Sequence, residues 1–279
     1  MKLRCLRRIA LALLVCLLAS LLAGPLVAPH AAAQSIGSFD VGATSGDIQI
    51  DAEDGIEWRR EESVYIARGN ARIARGDLAV YADTLKAFYR GDGTTAGEIY
   101  RVEATGNVRL TSPGETVYGE YAVYDVERKV LVMTGGDLMV ETENEIITAR
   151  DSLEYWQDQQ VVVARGDAEV VQEAENRRVR ADTLTGFFRE DDSGEVGLFQ
   201  VEAEGGVRIQ RGDEIARAGK AVYNLDTEIA TLTGGVKITQ GESQLNGDFA
   251  EFNLRSGVSR LLGSGEDDGR VQTLIVPGD

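Results

Sequence analysis

The chain of 279 residues carries 46 acidic and 29 basic side chains, a formal net charge of −17, and 43% of its residues are apolar. That charge opposes binding to nucleic-acid phosphates and anionic lipid surfaces, while the apolar fraction is that of an ordinary folded protein with a core. The two cysteines, Cys5 and Cys16, and the single histidine, His30, all precede residue 34, so a chain cleaved there has no disulfide, thiol nucleophile, histidine triad or His/Cys metal site.

The first predicted element is a secretory signal peptide over residues 1–33. Lys2, Arg4, Arg7 and Arg8 precede an apolar run from Ile9 to about Leu22, and Ala31, Ala32 and Ala33 supply small-residue cleavage positions before Gln34. Gly24, Pro25, Pro29 and His30 interrupt the run before it reaches the ~20 apolar residues of a membrane span. Four basic residues leave with the signal, which moves the charge from −17 to −21. Residues 34–46 read as a flexible segment.

From residue 47 onward one phrase recurs seven times. Its copies are IDAEDGIEW (50–58), VYADTLKAFY (80–89), VYGEYAVYDV (117–126), ITARDSLEY (147–155), VRADTLTGFF (179–188), ARAGKAVYNL (216–225) and LNGDFAEFNL (245–254), anchored on Ala52, Ala82, Gly119, Ala149, Ala181, Ala218 and Gly247. In five copies apolar or small residues fall at −2, 0, +3, +5 and +7 from the anchor, so the inward parity changes just after it, while in Ile50/Ala52/Ile56/Trp58 and Ile147/Ala149/Leu153/Tyr155 one additional residue sits at that corner. A strand changes parity only at a bulge or corner, and each phrase is therefore expected to run along one sheet, turn at the small residue and continue in a facing sheet.

Between the phrases lie ARGNARI, ATGNVRL, MTGGDLM, ARGDAEV, AEGGVRI and LTGGVKI. Each is a returning strand. In the stretch 102–110, Val102, Ala104, Val108 and Leu110 alternate with Glu103, Thr105, Asn107 and Arg109, the period of two of a half-buried strand. VEATGNV (102–108) returns as VEAEGGV (201–207), and ADTL (82–85) returns unchanged at 181–184, each ninety-nine residues on. A block has been duplicated, with repeats expected over about 52–148 and 149–263 and a terminal strand over 270–276.

Together these give an all-β fold: an elongated, twisted antiparallel β-jellyroll of about 14–16 strands in two facing sheets, built from internal repeats. At ~4.8 Å per strand, seven or eight layers span roughly 35 Å. GEDDG (265–269) and EDDSGE (190–195) lack the aspartate spacing of calcium loops and read as solvated turns. Asp83, Asp182 and Asp248 follow the anchor at equivalent positions, which points to a turn role instead of acid/base chemistry. No catalytic residue, metal or cofactor is expected.

VYADTL, VRADTL, ATGNV, TGGV and the YD/YN strand ends resemble the OstA-like repeat family of the lipopolysaccharide-transport proteins. DIQIDAEDGIEW (47–58) and RVQTLIVPGD (270–279) are similar to the first and last strands of its periplasmic bridge members. The resemblance implies a jellyroll whose apolar groove holds the lipid A acyl chains of lipopolysaccharide, working in the periplasm with inner-membrane and outer-membrane transport components and no nucleic acid. On that reading the groove candidates are Ile50, Ala52, Val80, Ala82, Leu85, Tyr89, Val102, Val108, Leu110, Val117, Tyr124, Val179, Leu184, Phe188, Val201, Val207, Ile209, Tyr223, Val236, Ile238 and Phe252. The first and last strands carry no proline or lysine block, so Ile48, Ile50, Val271, Leu274 and Val276 are candidates for an edge that pairs copies head to tail. An accessory or translocon-type domain of the same pathway and a non-lipid structural β-solenoid remain the alternatives.

Overall fold

The computed structural model describes residues 49–91, 98–191, 194, 196–263 and 271–274. The signal peptide, the segment 34–46, Ile48, Val276 and the GEDDG turn lie outside these. Strands follow in the order β1 (Gln49–Asp51), β2 (Gly55–Arg59), β3 (Val64–Arg75), β4 (Leu78–Arg90), β5 (Glu98–Ser112) and β6 (Glu115–Asp125). Then come β7 (Val130–Thr134), β8 (Leu138–Thr142), β9 (Ile146–Ala149), β10 (Ser152–Trp156), β11 (Val161–Gln172) and β12 (Arg177–Glu190). The last six are β13 (Val196–Arg211), β14 (Glu214–Asn224), β15 (Ile229–Gln240), β16 (Ser243–Asn253), β17 (Val258–Leu262) and β18 (Gln272–Leu274). Among the described residues the one helical turn is 3₁₀, at Glu173–Glu175.

The eighteen strands among the described residues exceed the expected 14–16 because four bent strands are interrupted between their two arms. Counting β1/β2, β7/β8, β9/β10 and β17/β18 each as one strand gives 18 − 4 = 14. The fold is the antiparallel, repeat-built, jellyroll-like all-β architecture that the alternation pattern predicts.

Contacts divide the chain into two units, Ile36–Glu143 with Thr148–Arg165, and Asn144–Ile147 with Gly166–Asp279. In the N-terminal unit β3 pairs with β4, β4 with β5, β5 with β6, β6 with β7 and β8, and β7 with β10, all antiparallel. One inward row reads Ala67, Leu85, Ala104, Ala122, Met133, Leu153 and Ala164 across seven strands. Another, on the other side of the corner, reads Ile73, Val80, Leu110, Val117 and Val140. In the C-terminal unit the corresponding rows are Leu184, Ala203, Ala221, Leu232, Ala250 and Leu261, and Val179, Ile209, Ala216, Ile238 and Leu245. Residues such as Leu85, Val179 and Leu232 are almost wholly removed from solvent, each contributing about 1.5–3 kcal/mol of burial.

The corners are made by unequal strand lengths. Between the pairs Tyr81↔Arg109 and Thr84↔Thr105, β4 advances three residues and β5 four, which is a bulge. β4 changes its buried parity there, from Ala82 to Leu85, whereas β5 keeps its own through Ala104, Val108 and Leu110. Two successive left-handed residues absorb the additional length on the returning strand. They are Gly69/Asn70, Gly106/Asn107, Gly135/Gly136, Gly166/Asp167, Gly205/Gly206 and Gly234/Gly235, the glycine of every inter-phrase stretch.

The corner lies opposite the glycine as well as at the small anchor. A Cβ on Gly106 would sit 2.2 Å from Asp83 Oδ2, and one on Gly205 2.1 Å from Asp182 Oδ2. Asp83 and Asp182 therefore fill the bend and exclude any larger residue there, a structural part as their repetition predicts. Asn107 Nδ2 also donates to the Asp83 carboxylate, at 3.0 and 3.2 Å. Where the residue beside the anchor is Gly219, backbone meets backbone: a Cβ on Gly234 would lie 3.2 Å from Gly219 Cα.

Several phrases end in a side-chain-capped turn. Asp125, Asn224 and Asn253 accept from the backbone N–H three residues on, at 2.9, 2.9 and 2.8 Å, so the YD, YN and FN strand ends are Asx-type turn signals.

Candidate functional site

The inward face of each unit is where the sequence places its candidate residues. In the N-terminal unit Ala82, Leu85, Tyr89, Val108, Leu110, Val117 and Tyr124 are buried. Ala52, Val80 and Val102 are half-buried, and Ile50, on the short strand β1, is exposed at 38%. In the C-terminal unit Val179, Leu184, Phe188, Val201, Val207, Ile209, Tyr223, Val236, Ile238 and Phe252 are all buried. Register brings neighbouring members together, as in Val102↔Tyr124, Val80↔Leu110 and Val179↔Ile209.

The stripe contains residues that the phrase pattern did not single out. Met133, Leu138, Leu198 and Leu232 are as deeply buried as the candidates, and alanines occupy much of the inward row in both units. Their signal was the same period of two, carried by the returning strands and by β7 and β8.

At the first strands the apolar face opens to solvent. Ile56 and Trp58 on β2 are exposed at 52% and 40%. The Trp58 ring stacks on Tyr65 at 5.6 Å, Tyr65 lies 5.0 Å from Tyr89, and Trp58 Nε1 donates to Tyr89 Oη at 2.8 Å. Thus an aromatic ladder leads from the buried stripe to the edge, with the Arg60 guanidinium 4.1 Å above Trp58. β1 and β2 both register against β3.

The last strands show the same exposure. β17 and β18 both register against β16, with Gln244 opposite Leu274. Val258, Leu262 and Val271 are exposed at 47%, 52% and 41%. Val271 and Ile50 are thus solvent-facing, as are Val258 and Leu262, and Ile56 and Trp58, expected on the inward stripe of their phrase, are exposed because they lie on the short first strands.

Beside β1 lies a cleft of about 840 Å³ that includes Ile50, Ile56, Arg72, Tyr81 and Arg109. Arg109 sits 4.0 Å over the Tyr81 ring and Arg72 5.8 Å from it. Arg72 is paired to Asp51 at 3.2 Å, and its charged form is favoured first by the Tyr81 hydroxyl and then by that carboxylate. Among the described residues no group of three or more His, Cys, Asp or Glu side chains is placed to hold a metal ion.

The model of the family described as LptA/(LptD N-terminal domain) LPS transport protein matches the sequence twice, over residues 49–161 and 147–258. Among solved structures the chain is similar to LptH, described as the LptA homologous periplasmic component of the conserved lipopolysaccharide transport device from Pseudomonas aeruginosa. The likeness is 19% in sequence with a TM-score of 0.39, over 48% of this chain and 95% of that one. No curated protein matches the sequence. The tandem family matches span the strands that carry the two inward stripes, and the chain belongs to the LptA/(LptD N-terminal domain) family of LPS transport proteins.

Proposed function

We propose that this protein carries lipopolysaccharide through the periplasm, holding the lipid A acyl chains against its inward stripe and bridging inner-membrane and outer-membrane transport components. The observation that carries this reading is the buried apolar lining of both units, set in a family whose described role is LPS transport. An acidic exterior favours apolar contacts over charge as the main hold on such a lipid. Because the inward residues are packed, acyl chains enter by parting the two arms, starting where the stripe is half-buried, at Val80 and Val102. The leader pattern over residues 1–33 supports export and cleavage.

The exposed apolar edges at β1/β2 and β17/β18 support head-to-tail pairing of copies by strand addition. The family description also covers the LptD N-terminal domain, and on that second reading one of these edges docks onto a translocon at the outer membrane.

A photo-crosslinking residue at Val102, in full-length protein purified from a lipopolysaccharide-producing host, is expected to trap the lipid, whereas one at Glu103 on the outward face is not. Equal trapping at both positions, or no lipid retained by the wild type in native mass spectrometry, overturns the carrier reading.

A further inference from the structure

The outward face of the C-terminal unit carries a row of cations that the chain's acidity would not lead one to expect. Arg180 is directly opposite Arg208, Arg208 opposite Arg217, and Arg217 opposite Lys237, on four neighbouring strands β12 to β15. Strand spacing places the four within roughly 14 Å. Like charges directly opposite one another on a sheet repel, and this protein has 46 acidic residues from which to draw neutralising partners.

Only one end of the row is neutralised. Arg180 reaches Asp167 at 3.1 Å, and Arg178, one pleat along, reaches Glu169 at 3.3 Å. Arg208 donates to the neutral Gln210 amide at 3.2 Å, and among the described residues neither Arg217 nor Lys237 has a side-chain hydrogen-bond or ion-pair partner. Lys220, three residues beyond Arg217, is by contrast held by Glu202 and Glu204, both at 2.7 Å.

The duplication sharpens the point. Ninety-nine residues earlier, Arg180, Arg208 and Arg217 correspond to Tyr81, Arg109 and Tyr118, so the same row in the N-terminal unit alternates cation and ring. There Arg109 lies on Tyr81 and Arg72 on Asp51. In the C-terminal copy both tyrosine positions are arginine, and a depression of about 250 Å³ opens between Glu169, Arg178, Arg180, Arg208 and Gln210, its one carboxylate already paired to Arg178.

We propose that this row is a binding strip for the phosphorylated saccharide headgroup of lipopolysaccharide, an outer-surface contact distinct from the acyl-chain lining. It rests on the carrier reading above. Guanidinium forks match phosphate oxygens in bidentate fashion, and Gln210, with Asn246 opposite Lys237, offers amides to sugar hydroxyls. An anion placed along the row removes the cross-strand repulsion that the fold otherwise leaves in place.

The test uses the full-length protein and a triple variant, Arg208→Gln/Arg217→Gln/Lys237→Gln, whose outward positions leave the inward stripe intact. Both are titrated with short-chain lipopolysaccharide, with the same lipid after enzymatic removal of its phosphates, and with inorganic pyrophosphate alone. The wild type is expected to bind the phosphorylated lipid at least about tenfold more tightly than the dephosphorylated one. Raising salt from about 50 to about 300 mM should shrink that preference. In the variant the preference disappears, affinity for dephosphorylated lipid stays within about twofold, and salt now strengthens binding of the phosphorylated form by screening the net negative charge.

Equal binding of the two lipids by the wild type, or a preference that survives in the variant, overturns the strip while leaving the carrier reading standing. Binding of neither lipid sinks the carrier reading, and the strip with it. Pyrophosphate bound as tightly as the phosphorylated lipid, and lost in the variant, reduces the row to a free-anion site and overturns its assignment to a lipid headgroup.

Discussion

Gly205 and Gly206 are adjacent, both left-handed, and subject to opposite constraints. At Gly205 a Cβ meets the Asp182 carboxylate at 2.1 Å, while at Gly206 it meets nothing within 4 Å. Gly205→Ala is therefore expected to destabilise by roughly 2–4 kcal/mol through backbone strain and collision. Gly206→Asn copies the residue found at Asn107 in the other block, where its amide clamps Asp83, and should stabilise by roughly 0.5–1 kcal/mol. Urea unfolding of the two variants decides it, and a stabilising Gly205→Ala would show that the corner geometry is wrong. A second contrast between copies is electrostatic. Asp125 accepts the Arg128 backbone N–H, which holds its carboxyl below the ordinary range, followed by the Arg128 charge. A depressed folded pKa stabilises above the unfolded value and is lost as pH falls through the folded one, so this turn weakens in acid. Its counterpart Asn224 makes the same turn without titrating. Asp125→Asn should lower stability slightly at neutral pH, where the pairing with the Arg128 guanidinium is lost, and flatten its decline below about pH 4, as thermal melts across about pH 2–7 would show, taken in about one-unit steps.

Along a single strand the alternation makes a sharper claim than burial alone. On β15, Leu232 has no exposed surface, and Thr231 beside it is only half-buried on the other face. Leu232→Ala is expected to cost about 2–5 kcal/mol and Thr231→Ala under about 0.5 kcal/mol. Similar losses at both would mean that the facing is not what the register implies. This parity is legible in the amino-acid sequence alone, because a period of two needs no partner strand to be seen, and the parity change after Ala82, Ala181 and Ala218 leaves a direct trace there. The glycines are legible as punctuation only. That Gly106 yields to Asp83 depends on which residue of β4 lies across from it, and the sequence does not carry cross-strand register. The cationic row is hidden for the same reason. Arg180, Arg208, Arg217 and Lys237 lie far apart in sequence and become one feature only after four strands are aligned. Trp58 reads from the sequence as an inward phrase position, but its exposure and its two aromatic partners, Tyr65 and Tyr89 on other strands, do not.

At the scale of the whole molecule the proposed head-to-tail pairing makes a claim about behaviour in solution. If copies pair last strand to first, sedimentation should show oligomers that grow with concentration. They should be lost, with β circular dichroism retained, on deletion of residues 270–279 or in Leu274→Pro, which removes a backbone donor from β18. Trp58 reports on the other side of the same contact. Its emission should shift to the blue as intact protein is concentrated and stay fixed in the truncated form, since Trp58 is 40% exposed in the single chain. Truncated protein that assembles as well as the intact chain rules out end-to-end pairing through these strands.

The bent-strand count carries a constraint on how this chain can change in length. From β4 to β12, its counterpart ninety-nine residues on, there are six bent strands, so both run in the same direction and turn the same side chains inward. Recombination in even steps preserves the polarity of the final strand and hence the chemistry of both ends, whereas gain or loss of one strand reverses everything downstream. The crossover point is still written in the sequence as Ala-Asp-Thr-Leu at both sites. A shortened protein in which Ala82 is joined to Asp182 restores that tetrapeptide without a scar. It should fold cooperatively and keep both terminal edges, while a shortening that removes β5 alone should not fold, a difference that amide hydrogen exchange would register.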